Sequence, residues 1–292
     1  DSTRMEILTS HDNTPIHYVS LGDQPSSQGI SLIFLHGWTA NVREWLPFAT
    51  PLSERFHTLC WDARGHGNHP VDPLTDMSVG AMAEDLHQLI QQRQLQHPVL
   101  IGHSMGALTG WEYIRRYGSS HLGGFCIVDQ SPKLVTGADW TQGIHGDFDA
   151  AYNRQFISRL REDFAEGVLE LVANGFNQRS KDNYQRNSHG FQQMREALQT
   201  LPGELLTRCW ESLSAQDYRD LLPRIEIPCL QIYGDQSQFY TQELAHWVAE
   251  QIPDSQLKIY ENADHSPHLW HRERFIYDLE MFCRSLPRNK GE

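Results

Sequence analysis

One serine in this sequence has the neighbours that make a hydroxyl group reactive. Ser104 lies at the centre of Gly102-His103-Ser104-Met105-Gly106, directly after an apolar run at 98–102 and before an amphipathic pattern at Met105–Tyr117. A serine at a sharp turn between a strand and a helix exposes its Oγ, and the flanking glycines leave room for that turn. The start of the helix offers free N–H groups and a positive dipole end to a developing anion. This pattern predicts the nucleophile of an acyl-transfer reaction.

A second turn supplies candidate groups to bind the negative charge that such a reaction develops. His36-Gly37-Trp38 follows the apolar run Ser31–Leu35. A glycine there lets the backbone fold back, so that the N–H of Trp38 and the N–H of Met105 point into the same space. Two such donors would form an oxyanion hole. His36 and His103 are predicted to contact substrate, His36 as a structural or pocket-lining histidine rather than a base.

The general base is predicted from position, because the chain has 16 histidines. His265 follows the last apolar run, 256–260, and precedes a helical pattern at 269–286. This places it at the carboxyl edge of a parallel sheet, where open α/β sheets bind ligands. His268 and His271 at the start of that helix are alternatives. The three histidines have the spacing of a metal motif, but metal-binding pairs on a helix lie at i and i+4 and Pro267 interrupts the stretch, so no metal site is predicted.

Short apolar runs predict the strands that position these residues. They lie at 5–21 (two strands around a turn at 11–14), Ser31–Leu35, 56–61, 98–102, Gly124–Val128, 228–233 and 256–260. Helical patterns separate them at 79–94, Met105–Tyr117 and Gln242–Gln251, with apolar residues recurring at three- and four-residue steps. Apolar strands between amphipathic helices predict an α/β fold with a doubly wound, mostly parallel sheet.

The alternation breaks once, between residues 130 and 223. This segment is rich in Gln, Asn, Arg and Trp, and its periodicity is helical in places. A helical cap or lid inserted after the sixth strand is the simplest interpretation, since long insertions outside a sheet are often functional. The predicted organisation is a core domain of residues 1–129 and 224–292 with the insertion 130–223. Peripheral helices without a gating role are the alternative.

The charge balance restricts the classes of partner. The chain has 292 residues, with 24 Lys and Arg against 37 Asp and Glu and a net charge of −13. Affinity for nucleic acids and for anionic membranes comes from clustered basic residues, so neither partner is expected. The longest apolar runs are far shorter than the roughly 20 residues of a membrane span. The first ten residues lack the regions of a signal peptide, although without an initiator Met a removed leader stays open.

The cysteines predict a reducing compartment. They are an odd number without close pairing, which is a poor disulfide framework: Cys60, Cys126, Cys209, Cys229 and Cys283. We expect buried, reduced thiols that pack as small apolar groups, and a cytoplasmic protein.

Four motifs in order resemble the α/β-hydrolase superfamily. They are His36-Gly37-Trp38, Asp62-Ala63-Arg64-Gly65-His66-Gly67, Gly102-His103-Ser104-Met105-Gly106 and Ala263-Asp264-His265, after the third, fourth, fifth and eighth strands. A nucleophile followed by a late histidine is the order of that family. The resemblance covers about 31–129 and 228 to the C-terminus, and it matches the insertion only as a cap. Asp62, Arg64 and His66 are expected to fix their loop, with an Asp–Arg pair stabilising the turn.

The resemblance leaves two candidates for the acid that orients His265. Many relatives place it after strand seven, three residues after a glycine, but Ser237 stands there and cannot carry the charge. Asp235 is two residues too early and should point differently. A subset of the family places the acid after strand six, where this chain has Asp129. We therefore predict Asp129, with Asp235 as the alternative.

The predicted reaction is acyl transfer to water without a metal or organic cofactor. Ser104 attacks a carbonyl, His265 takes the proton and later protonates the leaving group, and Asp129 orients His265. The substrate is expected to be a small apolar or aromatic ester, thioester or ketone. This expectation rests on tryptophans near the predicted loops and insertion, namely Trp38, Trp45, Trp140, Trp210 and Trp270.

Other functions stay open for the same fold, among them carbon–carbon bond hydrolases and perhydrolases. Two further alternatives differ more in their chemistry. In a cofactor-free, ring-cleaving dioxygenase, a His–Asp pair deprotonates a hydroxyl group of the substrate and the serine only helps to bind it. A non-catalytic member would bind a ligand, although an intact Ser104–His265 pair disfavours this. The sequence makes no prediction of oligomeric state.

Overall fold

The computed structural model describes residues 4–24 and 29–287, and this part of the chain forms eight strands. They are β1 Met5–Thr9, β2 Pro15–Leu21, β3 Ser31–Leu35, β4 His57–Trp61, β5 Val99–His103, β6 Gly124–Val128, β7 Cys229–Gly234 and β8 Ser255–Tyr260. They pair into one sheet in the order β1-β2-β4-β3-β5-β6-β7-β8. The strands from β3 onward run parallel, and the hairpin β1–β2 adds an antiparallel edge beside β4.

The helices complete the element order. They are α1 Leu46–Leu52, α2 Val79–Gln92, α3 Met105–Tyr117, α4 Ala150–Glu162, α5 Phe164–Ala173, α6 Gln178–Gln185, α7 His189–Gln199, α8 Gly203–Ser214, α9 Gln242–Gln251, α10 Pro267–Trp270 and α11 Arg272–Ser285.

The core lies on both faces of the sheet. Successive residues of β3 alternate between the two faces, with Ile33 in one apolar cluster and Phe34 in the other. Helices α2, α3 and α9 cover the first face, whereas α1 and α11 cover the second. Because every residue of the central strands is buried, their sequences are continuous apolar runs. The prediction of a doubly wound α/β fold is confirmed.

Two features of the elements differ from the sequence predictions. The helix predicted at 269–286 is divided into α10 and α11, because His271 has the non-helical angles φ −132° and ψ 65°. Helix α1 was not predicted; Pro47 and Pro51 lie within it and interrupt the pattern that would reveal it.

The predicted Asp–Arg pair in the loop after β4 is wrong. Arg64 is buried and binds Asp85 on α2 through two hydrogen bonds, Nε to Oδ2 at 2.7 Å and Nη2 to Oδ1 at 2.6 Å. It also donates to Asp12 in the β1–β2 turn at 2.8 Å. Asp62 instead accepts from the N–H of Val42 at 2.8 Å. The long side chain of Arg64 therefore fastens its loop to distant elements rather than to its neighbour.

Five helices, α4 to α8, follow β6 before the chain returns to the sheet at β7. Four of them have an N-cap residue whose side chain accepts a hydrogen bond from a backbone N–H of the first turn. These residues are Asp149, Asp163, Asn177 and Ser188. The segment predicted as helical is helical, and the division into two domains and the lid motion stay predictions. No helix in the described ranges is long and apolar enough to cross a membrane.

All five cysteines are buried and free. Their thiols lie on β4, β6, β7, α8 and α11, packed among apolar side chains. The prediction of buried, unpaired thiols is confirmed.

Candidate active site

Ser104 occupies a strained turn between β5 and α3. Its backbone angles are φ 56° and ψ −118°, a conformation that costs a non-glycine residue about 1–3 kcal/mol. The flanking glycines make the turn fit: a Cβ on Gly106 would lie 2.1 Å from the carbonyl oxygen of Leu35, and one on Gly102 would lie 2.5 Å from the carbonyl carbon of Gly106. The turn presents Ser104 at the carboxyl edge of the sheet.

Three of the predicted residues meet at this edge. The Oγ of Ser104 lies 3.1 Å from Nε2 of His265, and Nδ1 of His265 lies 2.7 Å from Oδ1 of Asp129. A carboxylate only accepts hydrogen bonds, so Nδ1 carries the hydrogen and Nε2 of the neutral ring accepts from the serine hydroxyl. They come from the ends of β5, β6 and β8, which explains why residues so far apart in sequence are adjacent.

The carboxylate of Asp129 is fully buried and accepts two further hydrogen bonds. The N–H of Gly234 donates to Oδ2 at 2.9 Å, and the hydroxyl of Ser237 donates to Oδ1 at 2.8 Å. Sequence reasoning treated Ser237 only as a residue unable to carry charge and missed this contact. Asp235 has no hydrogen bond to His265: its Oδ1 has no partner in the described chain. Of the two candidate acids, Asp129 is the one in contact with the histidine.

The other candidate histidines point elsewhere. His271 donates from Nε2 to the carbonyl of Glu261 at 2.7 Å, and His268 is fully buried beside Glu44. His36 is not among the residues that line the cavity at Ser104; its Nε2 accepts from the N–H of Ala63 at 3.0 Å. Burial lowers the pKa of His36. These contacts fit the prediction of a structural histidine that fixes the turn after β3, and a substrate contact of His36 stays a prediction.

The backbone N–H groups of Trp38 and Met105 have no acceptor within the described chain. Both residues line the cavity that contains Ser104. The side chain of Trp38 is held in place, because its Nε1 donates to the carbonyl of Leu206 on α8 at 3.0 Å. Two backbone donors without a partner in the described chain therefore belong to residues that line this cavity.

The cavity has a volume of about 280 Å³ and a mostly apolar lining. Helices α5, α7 and α8 cover it with apolar side chains, namely Val168, Leu171, Val172, Met194, Leu198, Trp210 and Leu213. Of the five tryptophans named from the sequence, Trp38 and Trp210 line it, whereas Trp45 and Trp140 are buried elsewhere and Trp270 is exposed. None of the lining residues is Lys or Arg.

Glu44, His103 and His268 form a second polar cluster next to the serine turn, and Glu44 and His103 also line the cavity. The substrate contact of His103 stays a prediction. One side-chain nitrogen or oxygen atom from each of the three residues lies within 4.8 Å of the other two. Burial opposes charge on His103, but the carboxylate of Glu44 raises its pKa above the ordinary 6.5. Burial likewise opposes the charge of Glu44, but His103 and His268 hold its pKa below the ordinary 4.5. Burial lowers the pKa of His268 to about 4.

The comparisons with known proteins agree with this architecture. The model of the α/β-hydrolase fold family matches residues 30–272. Non-heme chloroperoxidase from Kitasatospora aureofaciens is 28% identical over 95% of this chain and 99% of its own. The pimeloyl-[acyl-carrier protein] methyl ester esterase of Vibrio campbellii is 27% identical, over 93% of this chain and 99% of its own.

Solved structures repeat the fold at low sequence identity. A bromoperoxidase from Bacillus anthracis superposes with a TM-score of 0.80 at 23% identity, over 97% of this chain and all of its own. An esterase from Exiguobacterium antarcticum superposes with a TM-score of 0.79 at 22% identity, over 96% of this chain and 99% of its own. The chain belongs to the α/β-hydrolase fold family.

Proposed function

We propose that the protein is a serine hydrolase that cleaves small apolar or aromatic carboxylic esters. The observation that carries the proposal is the chain of contacts from the Ser104 hydroxyl through His265 to the buried Asp129, at 3.1 Å and 2.7 Å. The esterase names of several relatives support it.

The reaction follows from the positions of these groups. His265 takes the proton of Ser104 while Oγ bonds to the ester carbonyl carbon, and Asp129 stabilises the imidazolium that forms. The N–H groups of Trp38 and Met105 donate to the oxyanion. His265 then protonates the leaving alcohol, and the C–O bond of the ester breaks. Water, activated by the same histidine, releases the acid from Ser104.

The lining of the cavity supports a neutral, apolar substrate. A volume of about 280 Å³ suits a short acyl chain or a single ring. The lining contains no Lys or Arg, and its one ionic contact, Glu44 with His103, is already paired. A substrate carboxylate or phosphate would therefore be desolvated without a free cation beside it, which is unfavourable.

The contact between Ser104 and His265 favours ester hydrolysis over cofactor-free dioxygenase chemistry. In a dioxygenase of this fold the histidine would take a proton from the substrate. Here its Nε2 faces the hydroxyl of the serine instead. A ligand-binding member without activity would have no need of this base.

A serine-directed phosphonate tests the proposal. We expect the reagent to label Ser104 and to abolish turnover of p-nitrophenyl acetate, with no labelling of the Ser104→Ala variant. Absence of labelling in the folded wild-type protein would refute a hydrolase. Oxygen uptake on a hydroxyquinolone in that case would point to the dioxygenase, and tight ligand binding without turnover would point to a binding protein.

A further inference from the structure

The cluster of Glu44, His103 and His268 contains a pair of ionisable groups that the ester-cleaving steps do not use. Glu44 closes the short turn before α1, and His103 is the last residue of β5, immediately before Ser104. Their side chains are 9% and 7% exposed. Two ionisable groups so deeply buried are costly unless they pair.

The hydrogen bonds of His103 fix its charge. Nδ1 lies 3.1 Å from Oε1 of Glu44, and Nε2 lies 2.8 Å from the carbonyl oxygen of His265. A backbone carbonyl only accepts, and so does an ionised carboxylate. With Glu44 ionised, as its lowered pKa indicates, both ring nitrogens donate, which makes the ring of His103 an imidazolium. The raised pKa of His103 and the lowered pKa of Glu44 agree with this geometry.

The same pair connects three separate turns. Oε1 of Glu44 also accepts the N–H of Gly37 at 3.2 Å, next to the Trp38 amide. His103 adjoins the nucleophile in sequence and holds the backbone of His265 through its carbonyl. The turns that carry the oxyanion donor, the nucleophile and the base therefore share one ionic contact.

We propose that Glu44 and His103 are positioning residues, a buried carboxylate–imidazolium pair that holds the turns of Trp38, Ser104 and His265 in their catalytic arrangement. The proposal rests on the ester hydrolysis proposed above.

Ring contacts also place His103 beside the base. Its ring centroid lies 4.9 Å from that of His265 and 4.6 Å from that of His268. A displacement of His103 would therefore be passed to the ring that accepts the proton of Ser104.

Nitrogen NMR of the histidine rings tests the charge without any measurement of activity. At pH 8 an ordinary histidine, with a pKa of about 6.5, is neutral. We expect one ring with both nitrogens protonated, absent from His103→Gln and neutral in Glu44→Gln. Neutral rings throughout, or a stoichiometric bound metal, would overturn the pair, because a metal needs a lone pair that the doubly protonated His103 lacks.

Kinetics of the double variant Glu44→Gln/His103→Gln test the positioning role. The two amides remove both charges together and leave neither group buried alone. We expect kcat for p-nitrophenyl acetate to fall roughly 10- to 100-fold, since small misplacements of reacting groups cost this much. KM should change less than kcat. The control His271→Gln changes a half-buried histidine between α10 and α11, which binds the carbonyl of Glu261 and not the site, and should leave kcat and KM unchanged.

The outcomes separate the two proposals. A folded double variant with wild-type kcat would refute the positioning role while ester hydrolysis stands. If the phosphonate fails to label wild-type Ser104, ester hydrolysis falls, and the NMR result then reports a structural ion pair without a catalytic role.

Discussion

Substitution of Asp129 is the most direct single-residue test of the predicted acid that orients His265. Replacement by Asn keeps the shape but favours the wrong tautomer of His265, because the amide can donate to Nδ1. We expect Asp129→Asn to lower kcat by about 10⁴-fold, as in other triads. The matched control is Asp235→Asn, which removes the alternative acid and should stay within about twofold of wild type. If Asp235→Asn were inactive and Asp129→Asn active, the acid that orients His265 would be Asp235 instead of Asp129.

The residues with a local pattern could be predicted from the sequence, and the others could not. Gly-x-Ser-x-Gly marks Ser104, and the place of His265 after the last strand marks the base. The contact of Ser237 with Asp129 joins the ends of two strands across 108 residues, which no spacing reveals. Glu44 belongs to no motif, and only the fold shows that it lies against His103.

Arg64 links the N-terminal hairpin, the loop after β4 and α2. Contact with its guanidinium holds the pKa of Asp12 well below the usual range. We expect Arg64→Met to lower the free energy of unfolding by about 3–5 kcal/mol in chemical denaturation, because Asp85 is then buried without a cation. The double variant Arg64→Met/Asp85→Leu should recover most of this loss. An equal loss in both variants would show that packing, not the unpaired charge, is responsible.

Helix α5 forms part of the wall above Ser104. We expect Val168→Phe to narrow the cavity. The value of kcat/KM should then fall about tenfold more for p-nitrophenyl hexanoate than for p-nitrophenyl acetate. The reason is that one to two methylenes in an apolar pocket already change binding tenfold or more. Gln199→Ala, on the exposed side of α7, is the control. Equal effects on the two esters would place the acyl chain elsewhere.

The strands were predictable because the central ones are buried on both faces and read as apolar runs. The covering helices were predictable where their periodicity is regular, as in α2, whose buried residues include Met82, Leu86 and Leu89. Beside the break at His271, His268 of α10 stacks on Trp45 with ring centroids 4.5 Å apart. That contact is tertiary, so the local pattern continues through it.

The pair of Glu44 and His103 should make the free energy of unfolding of the protein depend on pH. The folded pKa of Glu44 lies below 4.5, so its contribution is present above that pH and is lost as pH falls. The folded pKa of His103 lies above 6.5, so its contribution is full below that pH and is lost as pH rises through the folded value. In urea unfolding, Glu44→Gln should therefore lose most stability between pH 4.5 and 6.5. A deficit independent of pH would contradict the ion pair.

The thiols report on the integrity of the core. Burial raises the pKa of Cys209 and of Cys283 to about 12, which suppresses the reactive thiolate. We expect no reaction with a disulfide reagent in the native protein and five equivalents in guanidinium. Rapid reaction of one native thiol would identify a region that opens locally.

The hydroxyl of Ser237 has one more implication. It already touches the carboxylate of Asp129 from the neighbouring loop, at the position where many members of the superfamily keep their acid. Two adjacent strand ends thus reach the same point beside the imidazole, and either can supply the negative charge there. Exchange of the two side chains would relocate the acid from one strand to the next while the nucleophile, the base and the sheet stay in place.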